Sequence, residues 1–311
     1  MYDVIALGEL LVDLAERTKD ENGYPTLAAN PGGAPGNFLA ALSAYGKKTA
    51  FLAKVGDDTF GHLLTGTMRR AGIDTRGILI SPDTFTTLAF VTFDAHGDRS
   101  FAFARKPGAD TQLRFDELDL LLIDETRVFH FGTLSLTGEP ARTTTYRAVE
   151  YAKAHGKLVT YDPNLRKPLW NDLNEAKEQM LWGLRQADVV KISDEEVEFL
   201  FGLGVQDGAQ YILDHYPVKL VFVTCGADGC WFQNRNAGGH VDSLKDIKVV
   251  DTTGAGDIFG GSAVWKLLQT GKRPEDLDEA ELTQIVSFAC RAAGLSTTKH
   301  GGISSVPDSI S

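Results

Sequence analysis

The chain contains 311 residues, 43% of them hydrophobic, and carries a formal net charge of −11. This length can bury a large core, and an acidic balance without a Lys/Arg block argues against nucleic acid or an anionic membrane as a partner. Glu9 and Asp13 interrupt the N-terminal apolar run, which argues against a signal peptide, and no apolar stretch is long enough to span a bilayer. Three cysteines without a C-x-x-C pair indicate reduced thiols in a cytoplasmic protein, and the scattered histidines show no zinc-ligand spacing.

Short apolar runs alternate with helical patterns along the chain. The strands are predicted at Val4–Leu7, Ala50–Val55, Val128–Phe131, Leu158–Tyr161, Val189–Ile192, Leu220–Thr224 and Ile247–Val250. The clearest helical faces carry Phe38, Leu42 and Tyr45, and Phe60, Leu64 and Met68. Gly72 and Gly271 are predicted to end helices. The alternation predicts a mostly parallel sheet covered by helices on both sides, in a single domain over residues 1–311.

One segment breaks this alternation. Residues 86–94 and 99–106 are predicted to form an antiparallel hairpin, with His96-Gly97 as a two-residue turn. Residues 10–30 are predicted to add a strand to it. An antiparallel unit inserted early in a parallel α/β chain is predicted to be a lid. The alternative is an edge hairpin of the main sheet.

The stretch Asn30-Pro-Gly-Gly-Ala-Pro-Gly-Asn37 precedes the first clear helix. Gly32 and Gly33 permit a backbone approach that a side chain would block, and Asn37 offers a donor and an acceptor. Such an arrangement suits an array of sugar hydroxyls, although a plain loop with an Asn N-cap would have the same sequence. Asp13, predicted just after the first strand, could accept two hydrogen bonds from neighbouring hydroxyls or could simply be solvated.

Three polar stretches follow predicted strands, where ligands of open α/β sheets gather. In Asp162–Arg166 the guanidinium of Arg166 could bridge phosphate or substrate oxygens, or the stretch could be an exposed turn. Ser193 and Glu196 form a predicted capping box, and the Glu196 carboxylate could also hold magnesium through water. The glycines of Thr224–Gly229 leave room for a base or ribose, and the same residues suit a hairpin turn.

The most informative stretch is Asp251-Thr-Thr-Gly-Ala-Gly-Asp257, which is predicted to open a helix. The free backbone N–H groups of a helix start bind anions, and Asp257 would stand among them. These amides could hold a transferred phosphoryl group while Asp257 takes a proton from an attacking hydroxyl. The spacing fits neither the dinucleotide fingerprint nor the Walker pattern. An ordinary helix start, with Asp257 favoured by the helix dipole, is the alternative.

Taken together, the Gly-Gly…Asn stretch and Asp251–Asp257 resemble the two signatures of the ribokinase-like carbohydrate kinases. The resemblance runs from Val4 to Pro307. Residues 99–105, 161–170 and 191–196 are similar to the fructokinase branch. The resemblance implies a three-layer α/β/α sandwich with a mostly parallel central sheet and a small β lid, formed here by roughly residues 10–30 and 86–106.

The resemblance also implies site residues. Asp257 would be the catalytic base, beside an anion hole at Gly254, Ala255 and Gly256. The implied substrate contacts are Asp13, Gly32, Gly33, Asn37, Arg105 and Arg166. The implied nucleotide contacts are Lys191, Ser193, Thr224, Gly226 and Gly229, with Ser193 standing where the family often has Asn. Glu196 would be associated with Mg²⁺. The candidate K⁺ ligands are Asp251, Thr253, Ser296, Lys299, Gly301 and Ser305.

The implied reaction is transfer of the γ-phosphoryl group of ATP to the 6-hydroxyl of fructose, with Mg²⁺ and K⁺. One alternative is phosphorylation of 2-keto-3-deoxygluconate, whose carboxylate would need Arg105, Lys106 or Arg166 as a partner. Another is a sugar sensor of the same fold without turnover. The partners expected are therefore a small sugar and ATP, and the aromatic lid predicts a homodimer.

Overall fold

The computed structural model describes residues 1–93 and 99–307, without the side chains of residues 92–101. The strands are β1 Tyr2–Leu7, β2 Leu11–Lys19, β3 Pro25–Gly32, β4 Thr49–Gly56, β5 Ile73–Asp74, β6 Ile78–Ser81, β7 Leu88–Phe93, β8 Arg99–Ala104, β9 Thr126–Gly132, β10 Leu158–Asp162, β11 Val189–Ser193, β12 Leu220–Thr224, β13 Cys230–Asn234 and β14 Gly238–Val241. The helices are α1 Ala34–Ala44, α2 Thr59–Arg70, α3 Leu120–Asp124, α4 Ala141–Ala154, α5 Leu173–Gln186, α6 Asp194–Phe201, α7 Val205–His215, α8 Ala255–Thr270 and α9 Glu279–Ser296. Within these described ranges, no helix is both long and apolar enough to cross a membrane.

Ten strands form the main sheet, in the order β14-β13-β12-β11-β10-β9-β1-β4-β5, with β6 also paired to β4. The pairs from β12 through β5 are parallel, and β13 and β14 extend the sheet as antiparallel strands. The predicted, mostly parallel sheet is therefore confirmed. Its carboxyl strand ends lie along one edge, which brings together residues that are far apart in sequence.

Both faces of this sheet are buried, as its nearly continuous apolar strands predict. In β1, Ile5 and Leu7 pack into one core with residues of α4 to α7, while Val4 and Ala6 pack into another with residues of α1 and α8. The three layers are thus helices, sheet and helices. Each layer contributes buried side chains, so the sheet is a rigid base for the loops at its edge.

A second sheet of four strands, called here the small sheet, has the order β3-β2-β7-β8. It is built from the two segments that the sequence predicts to form a lid, and β7 and β8 pair antiparallel as expected. It is separate from the main sheet, so the edge-hairpin alternative is wrong. The predicted His96-Gly97 turn lies outside the described residues.

The predicted strand Ile247–Val250 is wrong. Residues 242–250 have no strand pairing, and the Val249 side chain is 56% exposed. The β-branched run has the composition of a strand, but composition alone does not supply a partner strand. The segment instead crosses to α9, where the Val250 and Asp251 N–H groups both donate to the Thr297 carbonyl. The helix ends at Gly72 and Gly271 are confirmed, since both glycines have positive φ just after α2 and α8.

Candidate active site

The start of α8 has the geometry of an anion-binding turn. Gly254 is the N-cap residue and adopts φ +77°, and no side chain caps the helix there. The first helical hydrogen bond runs from the Ile258 N–H to the Gly254 carbonyl, so the amides of Gly256 and Asp257 precede the helical ladder. The Ala255 N–H donates to the Thr252 carbonyl at 3.3 Å, which closes the turn. The result is a helix N-terminus with amides directed at whatever approaches it.

Asp257 lies in this first turn with only 9% of its surface exposed. Its Oδ2 accepts a hydrogen bond of 2.8 Å from Asn37 Nδ2, across 220 positions of sequence. Burial raises the pKa of Asp257, while Lys191 and the Asn37 hydrogen bond lower it. Asn37 itself is buried inside α1, and its Oδ1 is an unpartnered acceptor among the described residues. Gly33, and not Asn37, is the N-cap of α1, so the N-cap alternative for Asn37 is wrong.

Lys191 approaches the same helix start from β11. Its Nζ lies 3.0 Å from Asp162 Oδ2, at the end of the neighbouring strand β10. A Cβ added at Gly256 would lie 3.1 Å from this Nζ. Burial disfavours the charged ammonium, but Asp162, Glu196 and Asp257 together raise the pKa of Lys191. A largely shielded cation, with 13% of its side chain exposed, therefore stands beside the amides of the turn.

The small sheet supplies the opposite wall of the site. Asp13 lies within β2 and not after the first strand of the main sheet. Next to it on β3, a Cβ at Gly32 would lie 2.3 Å from Asp13 Oδ2. The pKa of Asp13 is raised to about 6, mainly by burial. The charge of Arg166 lowers this pKa, and the negative charges of Asp257 and Asp251 raise it further. The glycine therefore leaves the space that this carboxylate occupies.

A cavity of about 370 Å³ lies between the two walls. Several of the predicted site residues line it, namely Asp13, Gly33, Asn37, Arg166, Asp251, Thr253, Gly254, Asp257 and Gly301. Asp13, Ala15 and Arg17 line it from one face of β2, as the two-residue period of a strand requires. The cavity thus extends from the Asp13 carboxylate to the open start of α8.

Arg105 is placed differently from its predicted role as a substrate contact. Its guanidinium is buried and donates to Asp110 Oδ2, to Thr137 Oγ1 at 2.7 Å and to the Leu134 carbonyl at 3.0 Å. It lines a separate cleft against α2 and not the 370 Å³ cavity. An arginine with its donors engaged in this way has a structural role, because a ligand would have to displace a buried ion pair.

The predicted nucleotide and magnesium residues lie at neighbouring carboxyl strand ends. Ser193 and Thr224 are paired where β11 and β12 end, and Gly226 and Gly229 have positive φ in the β12–β13 turn. Residues 224–229 therefore also form the predicted hairpin turn, between the antiparallel strands β12 and β13. The capping box is present: the Ser193 hydroxyl accepts the Glu196 N–H, and Glu196 Oε2 accepts the Ser193 N–H at 2.9 Å. The other oxygen of Glu196 accepts the Leu165 N–H at 2.6 Å.

The predicted K⁺ ligands come from two segments that hydrogen bonds hold together. Asp251 Oδ1 accepts from the Thr253 N–H and hydroxyl, and its Oδ2 accepts the Gly301 N–H at 3.0 Å. The Ser296 and Ser305 hydroxyls donate to the Ala293 and Gly302 carbonyls, and the Lys299 N–H donates to the Ser296 carbonyl. Asp251, Thr253 and Gly301 line the cavity, whereas Ser296, Lys299 and Ser305 are not among its lining residues.

Several residues line the cavity without having been predicted, and four of them are placed close to the predicted ones. Glu9 is buried between β1 and β2, and Asn164 is buried with φ +46° after β10. Gly302 passes so close to Asn37 that a Cβ there would lie 2.2 Å from Oδ1. His300 accompanies it in the same loop. An acidic break in an apolar run was the signal for Glu9, and the Pro-Asn sequence was the signal for Asn164.

Substituting Gly32 with Ala should raise the KM for the sugar by about tenfold and leave the KM for ATP within about twofold, because the new methyl displaces the Asp13 carboxylate. Initial rates measured against both substrates test this. Gly23→Ala is the control in the same β2–β3 hairpin, since a Cβ there meets nothing within 4 Å. Equal sugar KM values for the two variants would contradict the close contact between Gly32 and Asp13.

Comparison with known proteins agrees with this geometry. The model of the pfkB family carbohydrate kinases matches residues 1–309. Fructokinase-1 of Zea mays is 42% identical over 308 residues, which cover 98% of this chain and 94% of the plant protein. The family's phosphotransferase chemistry, with an alcohol as acceptor, is what a carboxylate beside an anion-binding turn can catalyse.

Two solved structures share the fold. A fructokinase from Xylella fastidiosa with bound ATP has a TM-score of 0.90 at 28% identity, covering 99% of this chain and 96% of its own. A double mutant of the fructokinase from Vibrio cholerae O395, with bound fructose, ADP and potassium ion, has a TM-score of 0.86 at 29% identity, covering 98% and 96%. The predicted ribokinase-like fold is thereby confirmed. Since the family model and the plant relative both match nearly the whole chain, and the site carries the chemistry that they share, this chain belongs to the pfkB family of carbohydrate kinases.

Proposed function

We propose that this protein is an ATP-dependent fructokinase that transfers the γ-phosphoryl group of ATP to the 6-hydroxyl of fructose. The observation that carries the proposal is Asp257, a buried carboxylate at an open helix start, facing a cavity whose other wall holds Asp13. The 42% identity to a protein named fructokinase supports fructose as the sugar. Related structures solved with ATP, or with fructose and ADP, support the pair of substrates.

Asp257 takes the proton of the attacking hydroxyl. Asn37 occupies its Oδ2, and among the described residues this leaves Oδ1 for the sugar. Burial raises the pKa of Asp257, and the positive charges of Lys191 and Arg166 lower it. These two charges therefore favour the ionised form in which the base acts. A strongly basic group is not needed, since proton transfer can come late in a loose transition state.

The helix start stabilises the charge of the migrating phosphoryl group. The amides of Gly256 and Asp257 supply fixed donors, and the ammonium of Lys191 adds a positive charge beside them. The ATP would then extend from this turn along the carboxyl ends of β11 and β12, over Ser193, Thr224, Gly226 and Gly229. A Cβ at Gly229 would lie 2.1 Å from the Val241 carbonyl, so close backbone packing shapes this surface.

Mg²⁺ fits the site through water. In residues 1–93 and 99–307, no group of three or more His, Cys, Asp or Glu side chains is arranged to hold a metal directly. Each oxygen of Glu196 accepts one backbone N–H and so retains a lone pair that a metal-bound water could use. When bound with ATP, Mg²⁺ would neutralise phosphate charge.

K⁺ also fits its predicted position. The donor set is made of carboxylate, hydroxyl and carbonyl oxygens, and its two segments are held beside Gly254 by hydrogen bonds that Thr253 and Gly301 donate to the Asp251 carboxylate. A cation there would add positive charge next to the anion-binding turn, and its ligands would be the oxygens of Asp251 and Thr253 with carbonyls of residues 296–305. Stimulation of turnover by K⁺ over Na⁺ is the corresponding measurement.

Glu196→Gln should raise the Mg²⁺ concentration needed for half-maximal rate by several-fold, about 3–10-fold, because a charge-assisted contact to metal-bound water becomes neutral. The substitution also weakens the capping box, which costs about 1 kcal/mol. The melting temperature must therefore be measured alongside the Mg²⁺ titration. Asp278→Ala, which removes a capping-box carboxylate from α9 away from the cavity, is the control for cap loss. An unchanged Mg²⁺ titration in folded Glu196→Gln would leave Glu196 with capping alone.

We infer that the small sheet acts as a lid that excludes water from the cavity, and that two copies pair through it. Tyr24 and Leu27 expose apolar surface at its β3 edge, with 68% and 41% of each side chain accessible. Pairing would bury this edge, which otherwise presents unpaired backbone groups. Light scattering at micromolar concentration is expected to give the mass of a dimer, and a monomer alone would contradict this proposal.

We also infer a cytoplasmic location. All three cysteines are free thiols, and Cys230 and Cys290 are buried. Burial raises the pKa of both thiols, so they are unreactive. A protein that keeps reduced cysteines of this kind fits a reducing compartment.

The competing substrate is 2-keto-3-deoxygluconate. Its carboxylate needs a cation, and Arg105 is engaged by Asp110, so Arg166 at the cavity wall is the better partner. A panel of sugars with ATP and Mg²⁺, with and without K⁺, followed by coupled ADP release, separates the candidates. Fructose is expected to have the highest kcat/KM. Sugar binding by calorimetry without ADP release would instead indicate a sensor.

A further inference from the structure

Glu9 is a buried carboxylate that the proposed reaction does not use. It lies between β1 and β2, where the chain passes from the main sheet into the small sheet, and only 2% of its surface is exposed. It nevertheless lines the cavity. Burying a carboxyl group costs free energy that an apolar side chain at this position would not cost. The presence of Glu9 here therefore indicates a specific role.

The Glu9 side chain holds the place where the chain returns from the small sheet. Its Oε1 accepts the Ala34 N–H at 2.9 Å, at the first residue of α1. The backbone contributes as well, since a Cβ added at Gly33 would lie 2.4 Å from the Glu9 carbonyl oxygen. Gly33 has φ +111°, a conformation that a glycine adopts without strain. One residue therefore sets the position of the glycine turn from two sides.

The other two crossings between the sheets are held together by a second buried carboxylate. Asp110 accepts from Thr87, just before β7, and from Arg105, just after β8. Burial is the largest effect on Glu9 and raises its pKa to about 7. The charge of Arg105 lowers this pKa, and the charge of Asp110 raises it. The four passages of the chain between the core and the small sheet are thus held by two buried carboxylates, Glu9 at two of them and Asp110 at the other two.

We propose that Glu9 is a positioning residue for sugar binding, which fixes the Gly33–Ala34 backbone against the base of the small sheet so that the glycine turn and Asn37 face the sugar. The role requires an oxygen acceptor on a side chain long enough to meet the Ala34 N–H. This amide stands at a helix start, where no carbonyl of the same helix can accept its hydrogen bond. This inference rests on the proposed sugar kinase activity and adds a residue that does not touch the reacting atoms.

Two substitutions separate reach from charge. Glu9→Asp keeps the charge but withdraws the carboxylate by one methylene, and we expect the KM for fructose to rise about tenfold, the effect of one unsatisfied buried amide. Glu9→Gln keeps the reach and an oxygen acceptor, and the KM for fructose should stay within about threefold of the wild type. In both variants the KM for ATP should change by less than about twofold, and kcat little, because the helix start of α8 is untouched.

Asp278→Ala is the control for a carboxylate lost from a helix start away from the cavity, since Asp278 accepts the Glu281 N–H at the start of α9. It should lower the melting temperature without changing the KM for fructose. The proposal is overturned if Glu9→Asp leaves the KM for fructose within twofold, if Glu9→Gln is the more damaging variant, or if the KM for ATP rises equally. A wild type that does not turn over fructose would contradict the proposed activity instead, and the Glu9 variants are then judged with the sugar that the panel identifies.

Discussion

Replacing Asp257 with Asn is expected to lower kcat by about 10²–10⁴-fold, the contribution of a general base, while the KM for fructose changes by less than about threefold. The amide keeps the shape of the carboxylate and can still accept from Asn37 through its oxygen. It cannot accept the proton of the sugar hydroxyl. Steady-state rates with saturating ATP and Mg²⁺, together with calorimetric fructose binding, measure the two effects separately.

The control for this variant is Asp207→Asn, which removes a carboxylate from the first turn of α7, a helix that does not contribute to the cavity. Its kcat should equal that of the wild type. If Asp257→Asn retained more than about a tenth of the wild-type kcat, the role of base would have to move to another group, because a positioned base contributes at least about 10²-fold.

The pH dependence provides a second readout of the same residue. A base acts in its ionised form, and burial raises the pKa of Asp257, so kcat/KM, which reports the free enzyme, should fall with decreasing pH at values above the ordinary range of an aspartate. Asp13, with its pKa raised to about 6, must also ionise to accept hydrogen bonds from hydroxyls strongly. The acid limb of kcat/KM should therefore be steeper than one proton in the wild type and should become shallower in Asp13→Asn.

The second large effect is expected at Gly254. Gly254→Ala should lower kcat by about 10²-fold, a loss comparable to that of one donor in an oxyanion hole. The residue has φ +77°, and a Cβ there would lie 2.8 Å from the Gly302 backbone and 3.0 Å from Asn37 Nδ2. Relief of this clash must move the start of α8, and the amides of Gly256 and Asp257 would move with it.

The other end of the same helix offers a matched control. Gly271 also adopts a left-handed conformation, φ +68°, but a Cβ there meets nothing within 4 Å. An alanine costs about 1–2 kcal/mol of backbone strain at either position. Both variants should therefore melt at lower temperature, and only Gly254→Ala should lose kcat. Loss of activity in both would assign the effect to stability and not to the anion-binding turn.

Much of this site could be predicted because its signals are local. The helix start after Gly254, the capping box at Ser193, the helix end at Gly271 and the positions of most strands follow from residues within a few positions of each other. These features depend on backbone geometry and nearest neighbours. The strand predicted at Ile247–Val250 was wrong because a β-branched run forms a strand only where it pairs with another strand, and here the backbone of Val250 bonds to the end of α9 instead.

Long-range partners were outside the reach of the sequence. Arg105 pairs with Asp110 at the base of the small sheet, so its charge is not available to a substrate as predicted. Asn37 of α1 donates to Asp257 of α8, and Glu9 fixes the turn that begins at Gly33. Which donor meets which acceptor depends on how two sheets and four chain crossings are packed together.

The amino-acid sequence by itself therefore determined the order of the elements, the anion-binding turn and the family to which the chain belongs. Only the tertiary structure decided which polar side chains face the cavity and which are committed to holding it in shape. The physical reason is that burial and hydrogen bonding belong to pairs of groups in space, whereas turns, caps and periodic apolar faces belong to short stretches of chain.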